Sequence, residues 1–322
     1  MPVTIRDMNP IPYSRERLAS LPLGCTAVAG SAAIFIIAGP GAVTCLQGLV
    51  TADVAGTAPD RSCYGAMLTP KGMIIADYWI GRVAEECLLI GDPGAREPTA
   101  AGFARQLPPR LAKATDHSAD WRVLWLLGTR PAGVADLPIP DPGHAARLDG
   151  PFGPAWVVGG PDRSHFAAVF AGTAEALAPI ERALLAAGVA SGTAADLRAG
   201  RILAGVPSLG DDIDDRTLPQ EAGFDDLSGV SYSKGCYVGQ ETVARLHFRG
   251  HPNWVLRRIE APSGTDLPAI VTGADGKPAM KPGSLLVLED GSVRGLARVR
   301  REVSPGDLVG GVRILETTEP RP

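Results

Sequence analysis

Eighteen residues from Tyr232 to Arg249, reading YSKGCYVGQETVARLHFR, hold most of the reactive chemistry in this chain. Cys236 lies two residues after Lys234, and Arg245 lies four after Glu241. Cationic neighbours favour the thiolate, which is the nucleophilic and metal-binding form of cysteine. Gly235 lets the backbone turn or approach a ligand closely. Gly239-Gln240-Glu241-Thr242 reads as a helix start whose first amides face an anion, with Glu241 and Arg245 paired on one face. The bland alternative is a loop and helix with an incidental cysteine, and composition alone leaves the two readings even.

The other four cysteines do not share this setting. Cys25, Cys45 and Cys87 sit in apolar neighbourhoods that read as core, and Cys63 reads as structural too. The spacings are wide, and no C-x-x-C pair suggests zinc or a disulfide framework. His247 and His251 are four apart but flanked by Gly250 and Pro252, so surface histidines are expected rather than a metal pair. The acidic run Asp211 to Asp215 lacks the spacing of a calcium loop and reads as a solvated loop.

The elements that must position these residues follow from the apolar pattern. Strands are expected at Ala33–Ile37, Met73–Ile80, Cys87–Gly91, Trp121–Leu127, Trp156–Val158 and His165–Phe170. Helices are expected at Ala42–Gly48, Pro98–Gln106 and Glu175–Ala187, with Pro179 in the first turn or at a kink. Thr193 to Asp196 is a capping signal for a helix ending near Gly200. Pro131 to Pro142 reads as a loop. After Pro252 strands dominate, at Val255–Ile259, Ser284–Leu288, Val293–Val299 and Val309–Leu315, with Asp290-Gly291 as a hairpin turn. That stretch reads as a small separate β-barrel behind a mixed α+β body. The expected division is 1–250 and 251–322. Trp79, Trp121, Trp125, Trp156 and Trp254 default to core packing, and Tyr64, Tyr78 or Trp79 could line a cavity.

The chain has 322 residues, of which 45% are hydrophobic and 20% charged, enough for a buried core in more than one unit. Net charge is −4, and Arg298 to Arg301 alternates as an exposed strand face does, so no nucleic-acid footprint is expected. No segment reads as a membrane span or a secretory signal, so the expectation is cytoplasmic.

The K-G-C-Y-x-G-Q-E…R pattern, filled here by Lys234, Gly235, Cys236, Tyr237, Gly239, Gln240, Glu241 and Arg245, resembles the signature of the YgfZ family. Eukaryotic relatives of that family are mitochondrial iron–sulfur assembly factors. Two further stretches carry the resemblance. Cys45 to Val54 is similar to the family's F-L-Q-G-x-x-T-N-D-V, with Cys45 and Ala52 as departures. Ala66 to Asp77 is similar to A-x-L-T-P-x-G-R-x-x-x-D, with Met73 where arginine is usual.

The resemblance implies the wider fold of the glycine cleavage T-protein: α+β, three domains around a central folate cavity, and a C-terminal β-barrel. It implies tetrahydrofolate or a derivative as cofactor, with Asp77, Gln47, Thr51 and Asp53 as candidate contacts. It implies Cys236 as the functional thiol at the cavity mouth, supported by Lys234 and Arg245, with Gln240 and Glu241 orienting the loop or the pterin. The implied partners are folate and iron–sulfur client proteins, and the chain is expected to act as a monomer. The rival reading is a folate-dependent aminomethyl- or methyltransferase. Gly210 to Glu221 is similar to a T-protein segment, but Leu203 stands where that enzyme has a folate-facing glutamate. Ala76-Asp77 stands where it has two acids. Leucine cannot accept hydrogen bonds from a pterin.

Overall fold

The computed structural model describes residues 12–317 except 57, 59, 130–136, 138, 151–152 and 161–165. The N-terminal segment, most of the Pro131 to Pro142 loop and His165 therefore lie outside the described residues.

Helix α1 (Arg15–Ser20) and strand β1 (Cys25–Gly30) open the described chain. The chain then builds a five-stranded sheet from β2 (Ala33–Ala38), β3 (Arg61–Leu68), β4 (Ile74–Val83), β5 (Glu86–Gly91) and β6 (Lys113–Asp116). Their order is β3-β4-β5-β2-β6. Helices α2 (Ala42–Gln47) and α3 (Arg96–Gln106) fall within this stretch. The chain next returns to β1 with β7 (Trp121–Gly128), β8 (Ala145–Gly150), β9 (Gly153–Gly159), β10 (Phe166–Thr173) and β11 (Ala190–Ser191). These complete a six-stranded sheet ordered β11-β1-β7-β10-β9-β8. The first strand of one sheet is thus separated from its partners by the whole of the other, so the two are interleaved in the chain.

Alternation along β4 fixes how the sheets meet. Tyr78 and Ile80 belong to an apolar core shared with α2 and α3, whereas Trp79 belongs to the core shared with the other sheet. A Cβ on Gly81 would lie 2.8 Å from Val158, so β4 and β9 are in direct contact there. Trp79 packs against Phe166 at a tilt, 5.9 Å between ring centroids.

Helix α4 (Ala174–Ala186) continues through Pro179, which lies in its second turn rather than its first. The carbonyl that proline cannot pair belongs to exposed Glu175, where water can satisfy it. Helix α5 (Ala194–Ala204) starts with the expected Thr193–Asp196 capping box but passes Gly200 and stops at left-handed Gly205. Gly200 serves packing instead, since a Cβ there would meet Leu127 at 3.3 Å.

Beyond α6 (Gln240–Arg249) the chain forms a third sheet. Its strands are β12 (Trp254–Ala261), β13 (Val271–Thr272), β14 (Pro278–Val287), β15 (Val293–Arg300), β16 (Leu308–Val309) and β17 (Val312–Ile314), wrapped on their own apolar core. The expected Val309–Leu315 strand is split at Gly310-Gly311 into a short hairpin.

In the acidic run Asp211, Asp214 and Asp215 are exposed, but Asp212 departs from the expected solvated loop. Asp212 is buried, and its carboxylate accepts from Ser284 N at 2.8 Å, Ser284 Oγ at 2.6 Å and Ser208 N at 2.8 Å. Asp214 pairs with Arg298 at 2.5 Å, and Arg298 also donates to Thr217 at 2.6 Å. Arg298 therefore joins the C-terminal sheet to the body rather than standing on an open strand face. Asp212→Ala would strand three buried donors, and we expect a loss of about 3 kcal/mol in denaturant unfolding. A loss below about 1 kcal/mol would remove Asp212 as the clamp between body and C-terminal sheet.

Candidate functional site

The three stretches singled out in the sequence are brought together in space. Residues 231–239 lie across the turn that follows α2. Ser231 N donates to Thr51 O at 2.9 Å, and Val238 N donates to Gly48 O at 3.2 Å. Thr51 Oγ1 donates to Gly229 O at 2.5 Å and accepts from Ala66 N at 2.8 Å. The Thr69-Pro70-Lys71-Gly72 turn closes the other side. Gly239 has φ 83°, and a Cβ there would lie 2.5 Å from Thr69 O and 3.1 Å from Gly72 Cα. Gly72 has φ 88°, and its Cβ would lie 3.0 Å from Thr242 Cβ. The glycines of two separate signatures are thus needed by one contact, with both backbones in a conformation that side chains disfavour.

Lys234 occupies the centre of this contact. Its side chain is buried, and Nζ donates to Gln47 O at 2.6 Å, Val50 O at 2.5 Å and Ala52 O at 2.8 Å. Nζ also lies 4.8 Å from the centre of the Tyr237 ring. Burial pulls its pKa down to about 8, while Asp53 and Cys63 act in the opposite direction. An ammonium has three donors. All three are used here, so the expectation that Lys234 supports the Cys236 thiolate is replaced by a structural role.

Cys236 is exposed at the apex of this loop, the only fully exposed cysteine of the five. Arg245 pairs with Glu241 at 3.2 Å on the first turns of α6, and both side chains face solvent. Gln240 begins α6 as expected, and Tyr237 is buried with its hydroxyl unbonded. Nothing lies within 4 Å of a Cβ placed on Gly235, so that residue faces open space. His247 stacks on Tyr232 at 3.6 Å between centroids.

A cavity of about 240 Å³ lies between the two interleaved sheets. Tyr64, Trp79 and Cys63 line it from one sheet, Gly159 from the other, and Leu227 with Ser228 from the loop before Cys236. Tyr78, the third aromatic considered, faces away and bonds Thr99 at 2.5 Å. Burial pushes the Cys63 thiol up to about 12, so it is an inert wall.

Asp77 sits on the same face of β4 as Trp79. Its Oδ2 accepts from Tyr64 OH at 2.6 Å, while its Oδ1 is buried and makes no hydrogen bond. Burial raises the Asp77 carboxyl to about 7; Asp92 adds to this and Tyr64 opposes it. Arg201 is held nearby in the charge network, bonding Asp92 at 2.8 Å and Ser208 at 2.7 Å. Asp77 is not itself part of the cavity lining and meets it through Tyr64, whose hydroxyl it holds.

The other expected folate contacts, Gln47, Thr51 and Asp53, make hydrogen bonds that build the loop. Gln47 Nε2 donates to Asp53 at 2.8 Å, and Gln47 Oε1 accepts from Val54 N and Ala55 N at 2.8 and 3.0 Å. Asp53 also accepts from Gly56 N at 2.8 Å. With Thr51 bonded at both ends, all three have structural partners. Met73 packs into the turn of Thr69, whose Oγ1 accepts from Met73 N at 3.2 Å. Leu203 faces a different cleft, with Leu18, Ala19 and Leu288. Sequence reasoning missed the Tyr64–Asp77 bond and the Arg201–Asp92 pair. The available signal was the alternation of Asp77, Trp79 and Gly81 along one strand.

Comparison with known proteins agrees with this architecture. The GCVT N-terminal domain family matches residues 30–136. The crystal structure of glycine cleavage system aminomethyltransferase T from Bartonella henselae superposes with a TM-score of 0.73 at 18% identity, covering 95% of this chain and 88% of that one. The fold is therefore that of the T-protein class. Among sequences, the tRNA-modifying protein YgfZ of Pectobacterium carotovorum is 30% identical over 250 residues, 74% of this chain and 71% of that protein. An iron–sulfur cluster assembly factor IBA57 homolog of Coccidioides immitis is 35% identical over 92 residues, 27% of this chain and 21% of that one. The chain belongs to the YgfZ family.

Two outcomes check this geometry. Gly239→Ala should cost about 3 kcal/mol, from the left-handed backbone and the contact with Thr69 O, and a neutral result in thermal unfolding would contradict the contact. Asp77 is raised from its unfolded value near 4 to about 7. Its contribution to stability is therefore present below about pH 4 and is lost as pH rises through 7. Asp77→Asn should then gain stability over the native chain at pH 8, with the gap shrinking toward pH 4. A gap independent of pH would contradict a raised carboxyl.

Proposed function

We propose that this protein is a folate-dependent accessory factor for the assembly or repair of iron–sulfur clusters in client enzymes, acting through Cys236. The observation that carries the reading is the selective exposure of Cys236 on a loop held by all three signature stretches. A cysteine thiolate is the usual protein ligand of an iron–sulfur cluster. An exposed thiol on a fixed loop can ligate cluster iron from a partner, losing its proton to solvent. The relatives include a tRNA-modifying protein and an iron–sulfur cluster assembly factor. A net charge of −4 supports a role toward protein clients rather than direct work on RNA.

Tetrahydrofolate would supply a one-carbon carrier or reductant when bound. Tyr64 and Trp79 would hold its ring, and Asp77 would orient the Tyr64 hydroxyl against it. Ser62 and Ser228 extend the polar rim of the same cavity. Aminomethyl transfer is the less supported reading, because Leu203 lines another cleft and Ala76 replaces one of two acids. We place the factor in the cytoplasm as a monomer; among the described residues no helix is long and apolar enough to cross a membrane.

Cys236→Ser should leave thermal stability unchanged and tetrahydrofolate binding by calorimetry intact. In cells it should lower client iron–sulfur enzyme activity about as much as deletion of the whole protein. Full client activity in the variant would refute the role of the thiol. Absence of heat on titrating tetrahydrofolate into the native protein would refute the folate part. Rapid turnover of an aminomethylated lipoyl carrier would favour the transferase.

A further inference from the structure

Lys234 is the feature whose surroundings say most that the sequence pattern does not. Its ammonium lies among three backbone carbonyls, Gln47, Val50 and Ala52, at 2.5 to 2.8 Å. Those carbonyls come from the end of α2 and the turn after it, a segment 182 to 187 residues away in the chain. On either side of the ammonium the two segments share only two backbone bonds, Ser231 N to Thr51 O and Val238 N to Gly48 O. Lys234 N itself donates to Ser231 Oγ at 3.3 Å, which ties the lysine to the first of these. The face of Tyr237 lies on a further side of the charge at 4.8 Å.

Three converging carbonyls form a cation seat that requires three N–H donors. A neutral amine has two and turns a lone pair toward the third carbonyl. An apolar side chain of equal length leaves all three carbonyls buried without a partner, which is costly. A guanidinium is planar and cannot direct three donors around one point. The seat thus selects a primary ammonium, and that ammonium is carried by the loop that presents Cys236.

We propose that Lys234 is a positioning residue, an ammonium latch that sets the register of the Cys236 loop on the α2 turn, and that it does not activate the thiol. With the ammonium seated, residues 231–239 are pinned at both ends and at their centre, and Cys236 is held outward at a fixed height. With the seat empty, the loop keeps two backbone bonds and loses its register. The consequence for client activity rests on the reading of Cys236 above. The latch itself does not, and its test uses neither clients nor folate.

The test begins on the native protein. The Lys234 Nζ–H₃ group should give a slowly exchanging nitrogen-15 NMR signal with through-hydrogen-bond couplings to the carbonyl carbons of Gln47, Val50 and Ala52. A Lys234 ammonium in fast exchange, without these couplings, overturns the proposal whatever any variant does. In Lys234→Ala, amide hydrogen exchange at Ser231 and Val238 should be about tenfold faster or more, with the Ile34 amide in the neighbouring sheet unchanged. Methylammonium should restore protection at Ser231 and Val238, because it supplies three donors to the vacated seat. Tetramethylammonium, which has the charge but no N–H, should not. Equal rescue by both ions, or unchanged exchange in the variant, contradicts the latch.

Discussion

The docking of residues 231–239 onto the turn after α2 is the constraint on which the rest of the site depends. A buried ammonium is costly unless its donors are met. Here three carbonyls meet them at hydrogen-bonding distance. The same carbonyls would be orphaned without the lysine, so each side of the contact requires the other. Gly239 and Gly72 then allow a second turn to close against the first at backbone distance. Cys236 is left exposed by this arrangement rather than in spite of it, because the residues around it are committed inward: Lys234, Tyr237 and Val238 face the body while Gly235 and Cys236 face solvent.

The interleaved sheets supply the second half of the site. The face of β4 that carries Asp77, Trp79 and Gly81 is turned toward the other sheet, and Tyr64 on β3 joins Asp77 through its hydroxyl. The cavity lies where Tyr64 and Trp79 approach Gly159 and the loop at Leu227 and Ser228. Asp212, Asp214 and Arg298 then fix the third sheet to the loop that leads from α5 toward Cys236.

Much of the fold was legible because its local signals agree. Ala42 to Gln47, Trp121 to Leu127 and the Thr193–Asp196 cap read correctly from periodicity and end signals. Gly200 misled because it looks like a helix stop, yet it serves close packing on Leu127. Asp212 misled because four carboxylates in five residues look solvated, and the partner that buries one of them, Ser284, is 72 residues away. The cysteine motif was legible as a pattern, while the direction of Lys234 was not. Two residues of separation in sequence suggested a pair, but in a turn neighbouring side chains diverge, and the acceptors lie far back in the chain. Gln47, Thr51 and Asp53 were read as ligand contacts, and the hydrogen bonds by which they build the turn were not legible in the sequence.

The central proposal is that the cavity lined by Tyr64 and Trp79 binds a folate ring, with Cys236 as the functional thiol. A crystal structure of the native protein grown with tetrahydrofolate tests it most directly. The proposal predicts the ring against Trp79 and Tyr64, with its polar edge within hydrogen-bond distance of Ser62 or Ser228. A ring bound outside this cavity would contradict it.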